Sequence, residues 1–316
     1  MALSEADAAI GYLQGLGKLI RDPDLLIGPF LTREAVASSR IEGTRASLSD
    51  VLKAGEEEGE GEDRSDDIGE VVRYLHASRR GLELIKSLPI TQRLITEVHK
   101  CLLTGVRGEE RQPGELRRSP VWIGAGTHTL ETAQYVAPAP NHLGELLTDW
   151  ERFVNTPSRI PVLVRCALMH YQFETIHPFL DENGRIGRLL VGLMLISEGR
   201  LTTPLLYLSG YLESHRSEYY ERLQAIRERG EMQEWIKFFL RAIKEQASDA
   251  AARAIKLVEL REMYLDQSKS DPSRISAIVP LIFRNPFISV PVVMRATKVS
   301  DQGHVISWLK LRDSDG

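Results

Sequence analysis

The sequence has little cysteine and no long apolar run. Its 316 residues include only two cysteines, Cys101 and Cys166, which excludes a disulfide framework and a four-cysteine zinc site. So few thiols favour a reducing compartment, and we predict a cytoplasmic location. The longest apolar run, residues 189–196, is far shorter than the roughly 20 residues that span a bilayer, and residues 1–7 carry acid where a secretory signal carries Lys or Arg. We therefore expect no membrane segment.

Neither sign of charge dominates the chain. It has 40 basic and 44 acidic residues, a net charge of −4 and a pI near 6.1. These values argue against nucleic-acid binding by the whole chain and leave room only for a local basic patch. Hydrophobic residues make up 42% and charged residues 27%, which is typical of a soluble protein that buries a sizeable core.

Helical spacing of apolar residues dominates the chain and predicts a mostly α fold. Gly43 should end or interrupt the first such pattern, at residues 30–54, and an acidic solvated linker should follow at residues 56–67. Residues 105–140 differ, because Gly and Pro recur there and two short β-prone runs predict a β-hairpin or a long loop. The other predicted helices are two within residues 68–103, then 143–153, 161–173, 185–197, 231–244 and 246–267.

A polar break at residues 268–272 predicts a small C-terminal module. Residues 289–297 and 300–311 read as two short helices that resemble the helix-turn-helix half of a winged helix. From Lys269 onward seven basic and four acidic residues give a net charge of +3, which permits DNA contact, and a packing role is an equal alternative. We predict an N-terminal region at 1–65, a catalytic domain at 66–250 and a linker helix with this module at 251–316.

The most informative segment is residues 177–188, His-Pro-Phe-Leu-Asp-Glu-Asn-Gly-Arg-Ile-Gly-Arg, which leads directly into an apolar helix. A helix N-terminus offers free N–H groups and a positive dipole end to an anion, and Gly184 allows close backbone approach. Arg185 and Arg188 lie on one face of the first turn, where two guanidinium groups suit a polyphosphate. Cations oppose the dipole there, so a bound anion would explain them.

Two further residues of this segment add chemistry. Asp181 offers a hard oxygen ligand for Mg²⁺, which takes one or two carboxylates together with phosphate oxygens. His177, four residues earlier, has an imidazole suited to accept a proton from an attacking hydroxyl. The combination predicts a phosphoryl- or nucleotidyl-transfer site.

The segment resembles the signature of the Fic (filamentation-induced-by-cAMP) family, His-Pro-Phe-x-Asp/Glu-Gly-Asn-Gly-Arg-x-x-Arg, at eight of its nine fixed positions. The resemblance implies a Fic-fold helical bundle that transfers AMP from ATP to a Ser, Thr or Tyr hydroxyl of a protein. His177 would be the general base and Asp181 would hold Mg²⁺. The anion hole would be shaped by Asn183 and Gly184, while Arg185 and Arg188 would bind the β/γ side.

Glu182 departs from the signature, because the family has glycine there. If its side chain points to solvent, its backbone N–H can still serve the anion. If it points inward, its charge would weaken nucleotide binding.

Residues outside the signature extend the resemblance. Ser38-Ser-Arg-Ile-Glu-Gly43 resembles the family's inhibitory-helix motif, in which the glutamate, here Glu42, pairs with the second signature arginine, Arg188. Residues 114–124 resemble the flap that presents the protein segment to be modified, and Ile123 and Gly124 would border the nucleotide. Tyr219 matches a residue near the adenine and ribose, with a simple core role as the alternative.

The resemblance therefore implies a protein adenylyltransferase, a nucleotidyltransferase enzyme, held inactive by its own N-terminal helix, with ATP as substrate and Mg²⁺ as cofactor. Transfer of another nucleotide or removal of AMP stays open because of Glu182, and so does a regulatory DNA- or protein-binding module with a degenerate site. The expected partner is a protein substrate at the flap. Self-modification, a homodimer and DNA contact by the C-terminal module are further options, and the sequence names no target.

Overall fold

The structure is a computed structural model that describes residues 1–20, 24–54, 66–103, 111–123, 131–267 and 275–297. These ranges hold thirteen α-helices, a short 3₁₀ turn at Pro140–His142 and one two-stranded sheet. The helices are α1 (Ala2–Leu19), α2 (Asp24–Ile41), α3 (Leu48–Ala54), α4 (Asp66–Leu84), α5 (Gln92–Leu103), α6 (Leu143–Asn155), α7 (Val162–Ile176), α8 (Asn183–Ser197), α9 (Ser209–Ser214), α10 (Arg216–Arg229), α11 (Met232–Gln267), α12 (Ile275–Arg284) and α13 (Val290–Thr297). The predicted mostly α architecture is confirmed.

The β-prone runs form a hairpin of two antiparallel strands, β1 (Trp122–Ile123) and β2 (Tyr135–Val136). Trp122 pairs with Val136 and Ile123 pairs with Tyr135. The sequence left a β-hairpin and a long loop as alternatives for residues 105–140, and the structure has the hairpin.

One predicted helix boundary is present and another is not. Gly43 interrupts the helical pattern of residues 30–54 as expected, because the chain turns there with a φ of +105°, which favours glycine, and the pattern is divided into α2 and α3. The helices predicted at 231–244 and 246–267 are instead the single helix α11. Its apolar face continues without a break because a row of small buried side chains follows residue 244, namely Ala247, Ala250, Ala251 and Ala254.

Helix α1 packs against α11. Its apolar stripe repeats every three or four residues, as one face of a helix requires, through Ala6, Ile10, Leu13 and Gly17. Lys244 Nζ of α11 lies 2.6 Å from Glu5 Oε2 of α1. The first and eleventh helices thereby enclose one side of a single apolar core.

Helix α8 runs through the middle of that core and packs against α7, α4, α5 and α2. Phe179, in the loop before α8, is fully buried and its ring stacks on His99 at a centroid distance of 3.9 Å. These contacts fix the loop that carries the signature, and they leave the first turn of α8 open to a pocket.

The C-terminal part begins with α12, which adds Val279 and Phe283 to the main core, while Ile278 and Val293 form a small second cluster. The helix predicted at 289–297 is present as α13, and the one predicted at 300–311 lies outside the described residues. The predicted boundary after residue 250 falls inside α11. Across the described ranges, each helix is too short or too polar to traverse a lipid bilayer.

Candidate functional site

The signature loop is bracketed by two residues with left-handed backbone. His177, at the end of α7, has a φ of 50°, and Glu182, just before α8, has a φ of 63°. Asn183 closes the loop because its Oδ1 accepts from the backbone N–H of Phe179 at 2.9 Å and its Nδ2 donates to the carbonyl of Phe179, also at 2.9 Å. The side chain of Asn183 is therefore used inside the loop, and what it offers an anion is its backbone N–H.

A pocket of about 660 Å³ opens over the first turn of α8. The hairpin contributes Trp122, α4 contributes Glu70, and the end of α7 contributes Glu174. Gly124 lies outside the described residues. Ser38 is fully buried and does not line the pocket. The predicted site residues that line the pocket are Glu42, Gly43, Ile123, His177, Asp181, Glu182, Asn183, Gly184, Arg185, Arg188 and Tyr219.

The predicted ion pair between Glu42 and the second signature arginine, Arg188, is present. Arg188 Nη2 donates to Glu42 Oε1 at 2.6 Å, and its Nε donates to Ser38 Oγ at 2.9 Å. Burial alone would raise the pKa of Glu42, but the Arg188 guanidinium more than offsets this and holds that pKa below its ordinary value. A Cβ on Gly184 would lie only 2.5 Å from Glu42 Oε1, so the glycine makes room for this carboxylate. Glu42 thus occupies the anion side of the helix terminus.

Arg185 is held by a different set of residues. Its Nη2 donates to Glu70 Oε2 at 2.6 Å, and its Nη1 donates to Glu182 Oε1 at 2.9 Å. Thr44 Oγ1 lies 3.4 Å from Nη2 and itself donates to Glu70 at 2.7 Å. Glu182 therefore points inward, which selects the second of the two orientations that the sequence left open.

The carboxyl group of Glu182 is in surroundings that disfavour its charged form. Burial raises its pKa to about 7 against the opposing effect of Arg185. Its Oε2 is buried and has no hydrogen-bond partner among the described residues. Neither Glu70 nor Thr44 was singled out from the sequence, since an isolated acid at a helix start and a threonine in a turn carry no signal of their own.

His177 is placed to act as a base. Burial is the main cause that lowers its pKa to about 4, so the ring is neutral near pH 7. Its Nδ1 lies 3.3 Å from the carbonyl oxygen of Glu174. A carbonyl only accepts, so this contact requires a proton on Nδ1 and leaves Nε2 with a free lone pair.

Arg117 fixes the backbone of the same loop and was missed in the sequence. It is 2% exposed, its Nε donates to the carbonyl of His177 at 2.8 Å, and its backbone N–H donates to the carbonyl of Pro178 at 3.0 Å. Its Nη2 donates to the carbonyl of Pro138 at 2.6 Å, just after the hairpin. One buried guanidinium thereby joins the hairpin to the signature loop.

Asp181 is exposed at the pocket edge, and its Oδ1 accepts from the backbone N–H of Glu182 at 2.8 Å. Within the described ranges, no three His, Cys, Asp or Glu side chains come together as a metal-binding group. A single carboxylate beside a phosphate site fits Mg²⁺, which keeps several waters and takes its other ligands from substrate phosphates. The donor set therefore suits a metal that arrives with a nucleotide.

The hairpin lies over the pocket with one apolar face exposed. Tyr135 OH donates to the carbonyl of Thr175 at 2.7 Å, and the Arg227 guanidinium stacks on the Tyr135 ring at 3.6 Å. Trp122 and Val136 are 45% and 43% exposed. The strand pair is thus anchored to α7 on one side and accessible on the other.

Tyr219 is both a pocket residue and a core residue. It lines the pocket yet is only 1% exposed, and its hydroxyl lies 2.8 Å from His170 Nε2. His170 in turn lies 3.9 Å from the Glu174 carboxylate, whose pKa burial raises to about 7. Both roles weighed for Tyr219 therefore fit its position.

Comparison with known proteins agrees with this geometry. A family model described as Fic/DOC family N-terminal matches residues 1–83, and one described as Fic/DOC family matches residues 89–195. A protein of Drosophila ananassae named Protein adenylyltransferase Fic is 31% identical over 169 residues, which is 53% of this chain and 29% of that protein. The chain thus spans less than a third of the length of the curated relatives it matches.

Solved structures share the fold. A Fic family protein from Desulfovibrio desulfuricans aligns with a TM-score of 0.65 at 21% identity, covering 96% of this chain and 85% of that one. A Fic domain-containing signaling protein from Bacteroides thetaiotaomicron aligns with a TM-score of 0.62 at 19% identity, covering 81% of this chain and 97% of that one. With two family models that together match most of residues 1–195, and with the signature loop and its arginine-bearing helix in place, the chain belongs to the Fic/DOC family.

Proposed function

We propose that this chain is a protein adenylyltransferase that moves AMP from ATP to a Ser, Thr or Tyr hydroxyl of a protein. The observation that carries the proposal is the meeting of His177, Arg185 and Arg188 in one pocket at the N-terminus of α8. That pocket combines a neutral base with two guanidinium groups and free backbone N–H groups. The curated relatives that match 53% of this chain bear the name of this activity.

The reaction assigns one role to each group. The target hydroxyl oxygen forms a bond to the α-phosphorus, the bond from that phosphorus to the bridging oxygen breaks, and pyrophosphate leaves. The hydroxyl proton goes to Nε2 of His177, which the contact between Nδ1 and the Glu174 carbonyl leaves free to accept it. Arg185 and Arg188 stabilise the charge that moves onto the leaving pyrophosphate.

Asp181 is the residue that would hold Mg²⁺. When bound, the ion neutralises phosphate charge and orients the phosphates. The chain contributes an exposed carboxylate at the pocket edge, oriented by its contact with the backbone N–H of Glu182.

The protein substrate would add to the hairpin. An extended segment can pair with a free strand edge through its backbone, which aligns its hydroxyl with the site below. The exposed side chains of Trp122 and Val136 offer that segment an apolar contact. Because such pairing reads backbone, it leaves the identity of the target open.

In this state Glu42 would restrain the reaction. Its carboxylate and the Ser38 hydroxyl occupy Nη2 and Nε of Arg188, two of the donors that a phosphate would use. The phosphate must displace a carboxylate that already has a charge-assisted hydrogen bond. We therefore propose that α2 is an autoinhibitory helix and that its release raises activity.

The test follows label from ATP carrying a labelled α-phosphate, with Mg²⁺, into the protein itself and into a cell lysate. Wild type, Glu42→Gly and Glu42→Gly/His177→Ala are compared. We expect strong labelling with Glu42→Gly and none with the double variant, which still binds nucleotide. Absence of transfer by folded Glu42→Gly protein would overturn the adenylyltransferase proposal, and equal labelling by wild type and Glu42→Gly would overturn autoinhibition.

Removal of AMP from a modified protein is a second candidate. Its support is the ionised carboxylate of Glu42 in the same pocket, since a carboxylate there can align a water molecule for attack on the α-phosphorus. AMP release from a pre-modified protein should then occur with wild type and stop with Glu42→Gly. Release that is unchanged in Glu42→Gly would exclude this role.

The remaining partners and the location stay predictions. Self-modification is read from the labelling experiment, and a homodimer from the sedimentation of the full chain. DNA contact by the C-terminal module should be lost when the chain is truncated after Asp271, while transfer is retained. The predicted cytoplasmic location and the use of another nucleotide are open to direct measurement.

A further inference from the structure

The two signature arginines are restrained by different parts of the chain. Arg188 is held by Ser38 of α2 and by Glu42, the residue that follows α2. Arg185 is held by Glu70 of α4 and by Glu182 of the loop, two carboxylates that lie outside residues 24–42. Removal of the Glu42 side chain therefore leaves the contacts of Arg185 in place.

Arg185 is held at short range by one mostly buried and one partly exposed carboxylate. The Arg185 side chain is 5% exposed, that of Glu182 is 13% exposed and that of Glu70 is 34% exposed. The two carboxylates approach different terminal nitrogens, at 2.6 Å from Glu70 and 2.9 Å from Glu182. One guanidinium thus faces two carboxyl groups, and the two terminal nitrogens that would meet a phosphate already have oxygen partners.

Glu182 is a costly residue for this position. The left-handed backbone at a φ of 63° favours glycine, and a non-glycine residue there costs about 1 kcal/mol or more. Its second carboxylate oxygen is buried without a hydrogen-bond partner among the described residues. The backbone at Glu182 thus has a conformation that glycine adopts without strain, and the glutamate adds a carboxylate to the loop at that position.

The turn after α2 connects the two restraints. Thr44, two residues after Glu42, donates to Glu70 at 2.7 Å, and the backbone N–H of Arg45 donates to Asp67 Oδ2 at 2.7 Å. The same turn that carries Glu42 into the pocket thus positions the acid that holds Arg185.

We propose that Glu182, acting with Glu70, is a specificity-determining lock on Arg185 that weakens binding of nucleotide polyphosphates and that acts in addition to the Glu42 contact. The inference rests on the proposed function, because it assigns Arg185 to the phosphates beyond the first. A nucleotide with β- and γ-phosphates must displace both carboxylates from Arg185, whereas AMP has no phosphate to place there. The lock therefore penalises ATP relative to AMP.

The test measures equilibrium binding by calorimetry with the full chain, using α,β-methylene ATP with Mg²⁺ and, separately, AMP. All proteins carry Glu42→Gly, alone or with Glu182→Gln, Glu70→Gln or Glu198→Gln. Gln keeps the size of the side chain and removes its charge. Glu198→Gln is the matched control, since Glu198 also pairs with a buried arginine, Arg165 at 2.9 Å, at the far end of α8.

We expect Glu182→Gln to tighten binding of α,β-methylene ATP about tenfold, the effect of losing one charge-assisted contact, and to leave AMP binding unchanged. Glu70→Gln should act in the same direction, which keeps the test open if the Glu182 variant fails to fold by circular dichroism. Unchanged or weaker binding with both variants would overturn the lock. Tighter binding with Glu70→Gln alone would overturn the part assigned to Glu182.

Failure of the proposed function would give a different experimental result from failure of the lock. If the parent Glu42→Gly protein binds no nucleotide and transfers no label, the adenylyltransferase proposal fails. If it binds and transfers while Glu182→Gln changes nothing, only the lock fails.

Discussion

Glu42 and Arg188 lie 146 residues apart in sequence, and their side chains meet at 2.6 Å between Oε1 and Nη2. The contact is made over Gly184, the residue whose missing side chain leaves space for the carboxylate. The residue that follows α2 therefore reaches the first turn of α8, where an anion would bind.

Ser38→Ala should partly release the same arginine. Ser38 is fully buried, and its hydroxyl accepts from Arg188 Nε at 2.9 Å. Losing a hydrogen bond to a charged group should lower the free energy of unfolding by about 1–3 kcal/mol. Label transfer should rise above wild type yet stay below Glu42→Gly, because the carboxylate remains.

Ser39→Ala is the matched control for that change. Ser39 is the next residue on the same helix and equally buried, but its hydroxyl has no partner among the described residues. Its removal should leave both transfer and the urea midpoint close to those of wild type. If the two alanine variants behave alike, the Ser38 contact has no part in restraint.

Arg117→Lys should separate nucleotide binding from protein modification. Lys cannot reproduce a planar fork that serves several carbonyls, among them those of His177 and Pro138. We expect a loss of about 2–3 kcal/mol in unfolding free energy and a loss of transfer to protein, because the hairpin is no longer fixed to the loop. Nucleotide affinity should change little, since Arg117 lies outside the phosphate site.

Arg118→Lys provides the comparison, because its side chain is 84% exposed and pairs with Glu115 at 3.3 Å. It should match wild type in stability and in transfer, measured by urea unfolding and by label incorporation. Equal transfer by both lysine variants would show that Arg117 serves stability alone.

The parts of the site that the sequence predicts are those that are contiguous in it. Residues 177–188 supply base, metal ligand and arginines in one loop and one helix turn, so local geometry determines how they meet. Glu42 was found through resemblance, because nothing in its own surroundings distinguishes it from a solvated helix acid. Glu70 could not be found, since its role arises only when α4 packs beside α8.

The direction in which a side chain points is the second feature that the sequence alone does not predict. Arg117 and Arg118 are neighbours of the same type, and only the packing of the hairpin decides that one is buried and the other exposed. For Glu182 the sequence allowed an inward or an outward side chain, and the position of Arg185 decides between them. The sequence predicts two helices where the structure has the single helix α11, because charged residues near residue 245 interrupt the apolar pattern although the buried alanine face continues.

Glu174→Gln should stabilise the protein at neutral and higher pH but not at acid pH. Burial raises the pKa of Glu174 from 4.5 to about 7, with Arg188 opposing and Glu42 assisting the shift. A raised carboxyl pKa means that the folded state binds more protons, so its contribution to stability is present below pH 4.5 and is lost as the pH rises through 7. The neutral Gln avoids that loss, which a shift of this size makes about 3 kcal/mol.

Urea unfolding at pH 4.5 and pH 8 measures the difference. We expect the Glu174→Gln variant and wild type to agree at pH 4.5 and to diverge at pH 8. Glu221→Gln on the exposed face of α10 should show no such divergence. A stability difference that is the same at both pH values would mean that the Glu174 carboxyl is not buried in its charged form.

The pH profile of transfer should reveal the environment of His177. Its pKa is lowered to about 4, mainly by burial and also by the nearby Arg227 and Arg117, against the opposing effects of the Glu174 carbonyl and Glu42. The base acts in its neutral form, which persists above the pKa, so transfer by Glu42→Gly at saturating Mg²⁺–ATP should stay level from pH 8 to about pH 6 and fall only near pH 4–5. Arg227→Gln removes a positive charge and should move that fall to higher pH. Initial rates of label transfer measure both profiles, with circular dichroism at each pH to exclude acid unfolding; a half-maximal rate near pH 6.5, the value of a solvated imidazole, would contradict this assignment.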